Sequence, residues 1–255
     1  MKDVSDTLCK CYTREYYLSQ SDGFEVFQRS AGRELPLRLR HLYQLANVMS
    51  EHWVLDVGCG RGEILAESYS SGAYAIGIDY SQSALDLARL AIEARSGEIG
   101  EKTLVCLGNA RRLPFVSESF DVVFVLDVIE HLAEDELIMT LRNIVRVLNP
   151  DGVCIISTPN LWQTTIGEAI IDTIKRLLRQ PLPSRKDDPT HINLKTPVAL
   201  RRTLSRAGFR RARLHHYTYK KVNYGNSLGG ILRQQIYNRW GKMIFSSDLI
   251  AVVRR

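Results

Sequence analysis

V-L-D-V-G-C-G-R-G-E, residues Val54 to Glu63, is an apolar run that stops in three glycines at alternate positions. Val54, Leu55 and Val57 read as a short buried strand. Gly58, Gly60 and Gly62 then let the backbone turn sharply and approach a ligand with no Cβ in the way. A strand, a glycine turn and a helix start make a nucleotide crevice. The spacing is G-x-G-x-G, whereas a dinucleotide fingerprint has G-x-G-x-x-G and aims a helix N-terminus at a pyrophosphate. Asp56 before the glycines and Glu63 after them would repel a pyrophosphate and suit a ligand carrying positive charge.

A second apolar strand, with Tyr74, Ala75, Ile76 and Ile78, ends at Asp79, about twenty residues on, where a carboxylate grips ribose hydroxyls. Adenosine plus a cationic group points to S-adenosylmethionine, with S-adenosylhomocysteine as the product left behind. The match then continues along the chain: I-D-Y-S (Ile78 to Ser81), N-A-R-R-L-P-F (Asn109 to Phe115), F-D-V-V-F-V-L-D-V-I-E-H-L (Phe120 to Leu132), L-N-P-D-G-V (Leu148 to Val153) and S-T-P-N (Ser157 to Asn160). With these ordered motifs the chain resembles the class I S-adenosylmethionine-dependent methyltransferases over roughly residues 50 to 215, and five motifs in order are far more specific than one glycine loop. The resemblance implies an α/β fold: a Rossmann-like seven-stranded sheet, mostly parallel with the last strand antiparallel, helices on both faces and helical lid insertions. It assigns the cofactor to Asp56, Gly58, Cys59, Gly60, Gly62, Asp79, Tyr80, Asn109, Ala110 and Leu126. The family more usually has Asp where Asn109 stands, contacting the adenine amino group. Asn keeps an acceptor oxygen and loses the charge.

Alternating patterns predict strands near 53–57, 74–78, 103–107, 120–126 and 153–157, with helices near 62–70, 82–94 and 134–148 between them. A helix is expected over 35–49 before them. Another follows over 196–207, then strands near 209–216 and 248–253. Ser81 is placed to cap the helix at Gln82. Residues 1–50 read as an N-terminal helical extension and 51–255 as the methyltransferase domain, with lid insertions at about 161–190 and 217–246. Gln163 to Arg179 carries Ile166, Ile170, Ile174 and Leu177 at helical spacing, with Lys175, Arg176 and Arg179 at its end, and reads as an amphipathic helix over the site. Leu228 to Phe245 repeats the pattern less cleanly, and Pro181 to Pro189 is an expected loop. Tyr12 to Tyr17, Y-T-R-E-Y-Y, is a candidate further wall of the pocket.

At 255 residues and 45% hydrophobic, the chain can build one large α/β core. No apolar run approaches the roughly 18 residues a spanning helix needs, and no N-terminal signal region is visible. Cys9, Cys11, Cys59, Cys106 and Cys154 read as reduced thiols in a cytoplasmic protein, and Cys9-x-Cys11 lacks the second pair a zinc site requires. Residues 161–255 hold 19 Lys plus Arg against 5 Asp plus Glu, so a net of +6 conceals a basic second half and an acidic first half. The acidic half suits a sulfonium. The basic half could attract an anionic substrate, a nucleic acid or an anionic membrane surface, or be a solvated face.

Methyl transfer is an in-line displacement on a carbon the sulfonium has already activated, so a base is needed only where the acceptor is protonated. The acid–base candidates are Glu130 and His131 in D-V-I-E-H, together with His191 in H-I-N-L-K-T-P. The first group resembles the E-x-x-E-H of ubiquinone-biosynthesis O-methyltransferases, in which such residues can hold a divalent cation. Here Asp127 replaces the first Glu with a shorter arm, and no metal is expected. The [DN]-P-P-[YF] signature of amino-group methylation and the Pro-Cys nucleophile of cytosine C5 enzymes are absent, and no appended RNA-binding module is visible. The expected activity is methylation of a small-molecule acceptor, hydrophobic or anionic, on oxygen before nitrogen or carbon. A cofactor-binding protein without catalysis is the alternative from another class.

Overall fold

The computed structural model describes residues 12–96, 102–177, 179, 181–182, 190–218 and 242–255. Three helices open the chain: α1 (Arg14–Ser19), α2 (Phe24–Ser30) and α3 (Leu37–Ala46). There follow β1 (Trp53–Val57), α4 (Glu63–Ser70), β2 (Tyr74–Asp79), α5 (Gln82–Ser96), β3 (Thr103–Leu107) and β4 (Phe120–Leu126). A 3-10 turn, Ile129–His131, leads into α6 (Glu134–Val147) and β5 (Leu148–Pro159). A π-helical turn at Gln163–Gly167 opens α7 (Glu168–Leu177). Then come α8 (Pro197–Ala207), β6 (Arg211–Tyr217), α9 (Lys242–Phe245) and β7 (Asp248–Arg254).

The seven strands form one sheet in the order β3-β2-β1-β4-β5-β7-β6. β3, β2, β1, β4 and β5 pair in parallel, and β7 inserts antiparallel between β5 and β6. The sheet is therefore the expected one, with its last strand reversed. Strand residues alternate between two layers, as a period of two requires. Leu55, Val57, Val123, Val125, Cys154 and Ile156 pack under α6 and α8. Val54, Val122, Phe124, Val153 and Ile155 pack under α3, α4 and α5. Leu55 is fully buried in the first of these layers, and Leu55→Ala would cost about 2–5 kcal/mol in lost contacts and residual cavity.

Three boundaries differ from expectation for local reasons. The helix expected over 35–49 is α3, which starts after Pro36 as N-cap and ends where Asn47 turns left-handed at φ 51°. β5 begins at Leu148 rather than near 153, pairing with Phe120 and then shifting register before Val122. The helix expected over 163–179 begins as a π-helical turn, Gln163–Gly167, and continues as α7 to Leu177. Ser81 caps weakly, its Oγ lying 3.4 Å from the Ala84 amide. It also donates to the Tyr12 carbonyl at 2.9 Å, tying the chain's first described residue to α5. Cys59, Cys106 and Cys154 are free thiols. Cys9 and Cys11, most of the Pro181 to Pro189 loop and most of the second insertion lie outside the described residues.

β1 and β4 are neighbours at the point where strand order reverses, so their carboxyl ends open a crevice. The glycine turn leaves β1 into that crevice.

Candidate active site

The crevice is a cavity of about 580 Å³. Gly60 and Gly62 adopt φ values of 50° and 78°, in the left-handed region that favours glycine. They serve different ends. A Cβ on Gly62 would come within 2.8 Å of the Ala88 backbone, so this glycine lets α4 and α5 pack closely and does not line the cavity. A Cβ on Gly60 would meet only the Tyr17 ring at 3.7 Å, because its face opens to the cavity.

Asp79 closes the turn from the next strand. Its two carboxylate oxygens accept from the Gly60 amide at 3.0 Å and the Ser81 amide at 2.9 Å. Burial raises its pKa, and those amides oppose the rise. Asp56 accepts no hydrogen bond among the described residues, and burial, with the charges of Asp79 and Glu63, pushes it up to about 8. Glu63 is answered internally by Arg61 at 2.8 Å. Asp56 and Asp79 are therefore a carboxyl pair without a cationic partner among the described residues, and a cation arriving there would favour the ionised form of both, which fits a ligand bearing a sulfonium. Asn109 presents a different atom from the expected one. Its Oδ1 accepts from the Arg111 amide at 2.9 Å and from Arg111 Nε at 3.1 Å, so the amide nitrogen is what it can offer to an adenine.

The opposite wall comes from distant parts of the chain. The Tyr12 hydroxyl lies 3.1 and 3.3 Å from the two ring nitrogens of His131. His131 Nδ1 is 3.1 Å from the Thr190 carbonyl, which can only accept, so with the proton on Nδ1 the Nε2 atom accepts from the Tyr12 hydroxyl. The His191 ring sits 4.9 Å from that of His131, centre to centre. Glu130 is fully buried; its Oε2 accepts from the Thr158 hydroxyl at 3.1 Å, and burial, then the Asp127 charge, hold it well above the usual carboxylate range. Ligating atoms of Glu130, His131 and His191 lie within 4.8 Å of one another, a spread one divalent cation could bridge.

Asp127 does not join that group. Arg38, 4% exposed on α3, forks onto both Asp127 oxygens, donates to Ser157 Oγ and reaches Asp248 at 3.0 Å. One guanidinium thus ties the ends of β4, β5 and β7 to the N-terminal extension. Arg61 holds the other end of that extension, donating to the Tyr17 carbonyl at 2.8 Å and the Asp22 carbonyl at 2.6 Å.

The structure brings all the candidate residues except Gly62 onto one cavity: Asp56, Gly58, Cys59, Gly60, Asp79, Tyr80, Asn109, Ala110 and Leu126 with Glu130, His131 and His191. Tyr12, Tyr16 and Tyr17 wall it as well. Among the described residues neither the π-helical turn nor α7 lines the cavity; Ile166 of the turn and Ile170 of α7 are exposed, and the first insertion reaches the cavity through His191 just beyond its end. Sequence reasoning missed Arg38 and Asp248. A signal for Arg38 was present: it shares the stripe of α3 with buried Leu42 and Ala46, and an arginine on a buried stripe needs carboxylate partners.

A doubly wound sheet with a glycine turn after β1 and an acidic residue ending β2 defines a nucleoside-binding α/β protein. Residues 55–156 match the methyltransferase domain family. The chain is 30% identical over 161 residues to the ubiquinone biosynthesis O-methyltransferase of Azorhizobium caulinodans, covering 63% of this chain and 60% of that protein. It is 33% identical over 112 residues to methyltransferase GfsG of Streptomyces halstedii, covering 44% and 39% respectively. The chain thus spans less than two thirds of the length of these relatives. A crystal structure of an S-adenosylmethionine-dependent methyltransferase from Archaeoglobus fulgidus superposes with a TM-score of 0.58 at 20% identity, covering 99% of this chain and 100% of that one. The Haemonchus contortus phosphoethanolamine N-methyltransferase 2, in complex with S-adenosyl-L-methionine, gives 0.59 at 16% identity, covering 98% and 57%. Residues 55–156 thus carry a methyltransferase domain, and the sheet has the fold of the S-adenosylmethionine-dependent methyltransferases.

Proposed function

We propose that this protein transfers the methyl group of S-adenosylmethionine to a hydroxyl of a small molecule, by direct in-line displacement. The observation that carries the reading is His131, which lines the cavity that the glycine turn and Asp79 also line, with its Nδ1 3.1 Å from the Thr190 carbonyl. S-adenosylmethionine supplies a carbon already activated toward a nucleophile. The protein's part is to bind, orient and take a proton. Asp79 and the Gly60 amide form the cofactor end, with Asp56 answering positive charge. His131 Nε2 takes the hydroxyl proton as the new bond forms, and Tyr12 and His191 hold the ring in place. A small-molecule acceptor is supported by the ubiquinone biosynthesis O-methyltransferase relative. The free thiols support a reducing, cytoplasmic setting. Among the described residues no helix is long and apolar enough to cross a membrane. Contact with an anionic membrane surface through the basic end of α7 remains part of the proposal.

The test is an acceptor screen with labelled methyl groups, followed by His131→Ala on the acceptor found. Turnover is expected to fall about 100-fold while affinity for S-adenosylhomocysteine stays within about threefold. Unchanged turnover would remove His131 from the chemistry. Loss of activity on chelation, restored by a divalent cation, would reassign Glu130, His131 and His191 from proton handling to ligation.

A further inference from the structure

The acceptor end of the cavity is charged oppositely to the basic second half of the chain. Residues 161–255 contribute His191 and Asp248 to the described lining, and none of their many Lys and Arg. Asp127 and Asp248 face the cavity with one cation, Arg38, bonded to both. Arg38 lowers the Asp248 pKa, but burial, with the Asp127 and Asp22 charges, outweighs it and pushes Asp248 up to about 6, so a further cation there would favour its ionised form.

A second observation points to a ligand at the same place. Among the described residues Glu130 Oε1 is buried with no hydrogen-bond partner, while Oε2 is satisfied by Thr158. Leaving a buried oxygen unpaired costs about 1–3 kcal/mol, so a donor arriving there would recover that cost. The carboxylate lies within reach of the His131 and His191 rings that line the cavity. Aromatic rings stand opposite, with Tyr12 5.6 Å from Tyr80 and 4.9 Å from Tyr16, and aromatic faces attract cations.

We infer that the acceptor is an amino alcohol, whose ammonium group seats between Glu130 and the Asp127–Asp248 pair while its neighbouring hydroxyl faces His131. The inference rests on the methyl-transfer reading and narrows its substrate. An ammonium offers three donors and a full charge, so it can satisfy Glu130 Oε1 and supply the missing cation together. A neutral hydroxyl satisfies the oxygen but not the charge. A carboxylate or phosphate would face three carboxyl groups with one guanidinium between them. The anionic acceptor that the basic second half suggests is therefore disfavoured by the wall it would touch.

The test uses three two-carbon probes that differ in one group: 2-aminoethanol, ethylene glycol and glycolate. Each is titrated into the full chain at neutral pH with a chelator present, with and without S-adenosylhomocysteine, and followed by NMR of labelled histidine rings. The expected result is that 2-aminoethanol binds about tenfold more tightly than the other two and shifts His131. Glu130→Gln and Asp248→Asn should each cut that advantage below about threefold, with S-adenosylhomocysteine affinity unchanged. Glycolate or ethylene glycol binding as well as the amine, or an advantage that survives both substitutions, overturns the inference. Failure to bind S-adenosylhomocysteine would instead sink the methyl-transfer reading, and the probe series without it still decides the acceptor class.

Discussion

Asp79 and Asp248 are both buried carboxylates on the wall of one cavity, and they are held in different ways. Asp79 accepts from backbone amides, one of them 19 residues away in the glycine turn. Asp248 accepts from side chains, Arg38, 210 residues away at 3.0 Å, and the neighbouring Ser247 at 3.5 Å. The cofactor end is thus made by local backbone geometry that any chain with this turn acquires. The acceptor end is a long-range clamp in which α3, β4, β5 and β7 must all arrive. Local construction suits a ligand shared by a family, and a clamp of side chains is where one member can differ from another.

The sharpest way to break this comparison is Arg38→Met. It leaves Asp127 and Asp248 without their cation at the junction of three strands, which should cost about 3–5 kcal/mol. In a chain of this size that is a fall of roughly 10 °C in melting temperature, read by calorimetry. Affinity for S-adenosylhomocysteine should change less than about threefold in the folded fraction. A matching loss of cofactor affinity would mean that the two ends are one unit.

Asp79→Ala probes the other end and should have the next largest effect. Removing a carboxylate that anchors the turn and faces the ribose position should weaken S-adenosylhomocysteine about 100-fold by titration calorimetry. Affinity for the probes at the acceptor end should be retained. If both fall together, the turn supports the whole cavity rather than one half.

The same contrast explains what could be read from the chain. Every strand of the sheet was legible, because near-continuous apolar runs such as Val54 to Val57 and Phe120 to Leu126 report burial on both faces directly. The glycine turn, Asp79 and the Glu130–His131 pair were legible because their spacing is short. Arg38, Asp22 and Asp248 were not, since no local pattern says that residues 38, 127 and 248 meet. Their meeting depends on β7 inserting between β5 and β6, which only the assembled sheet reveals. Asn109 shows a finer limit: its position was legible, but the turn with Arg111 that captures its oxygen was not.

The smallest expected effect comes from Asp56, and it has two signs. Its folded pKa, about 8, lies above the value near 3.9 of an unfolded chain. Between those values the folded chain holds a proton that the unfolded chain has lost, so this residue's contribution to stability falls as pH rises from about 4 to about 8. Asp56→Asn mimics the protonated form. It should raise the melting temperature at pH 8 by roughly 2–4 °C, equivalent to about 1–2 kcal/mol, and leave it unchanged at pH 4. With saturating S-adenosylmethionine the order should reverse, because the wild-type carboxylate then faces the cation it lacks in the free chain, and the variant gains less from the cofactor. A variant more stable than wild type both with and without cofactor would show that Asp56 answers no charge on the ligand. That would leave Asp79 to hold the cofactor end alone, making it even more a product of local backbone.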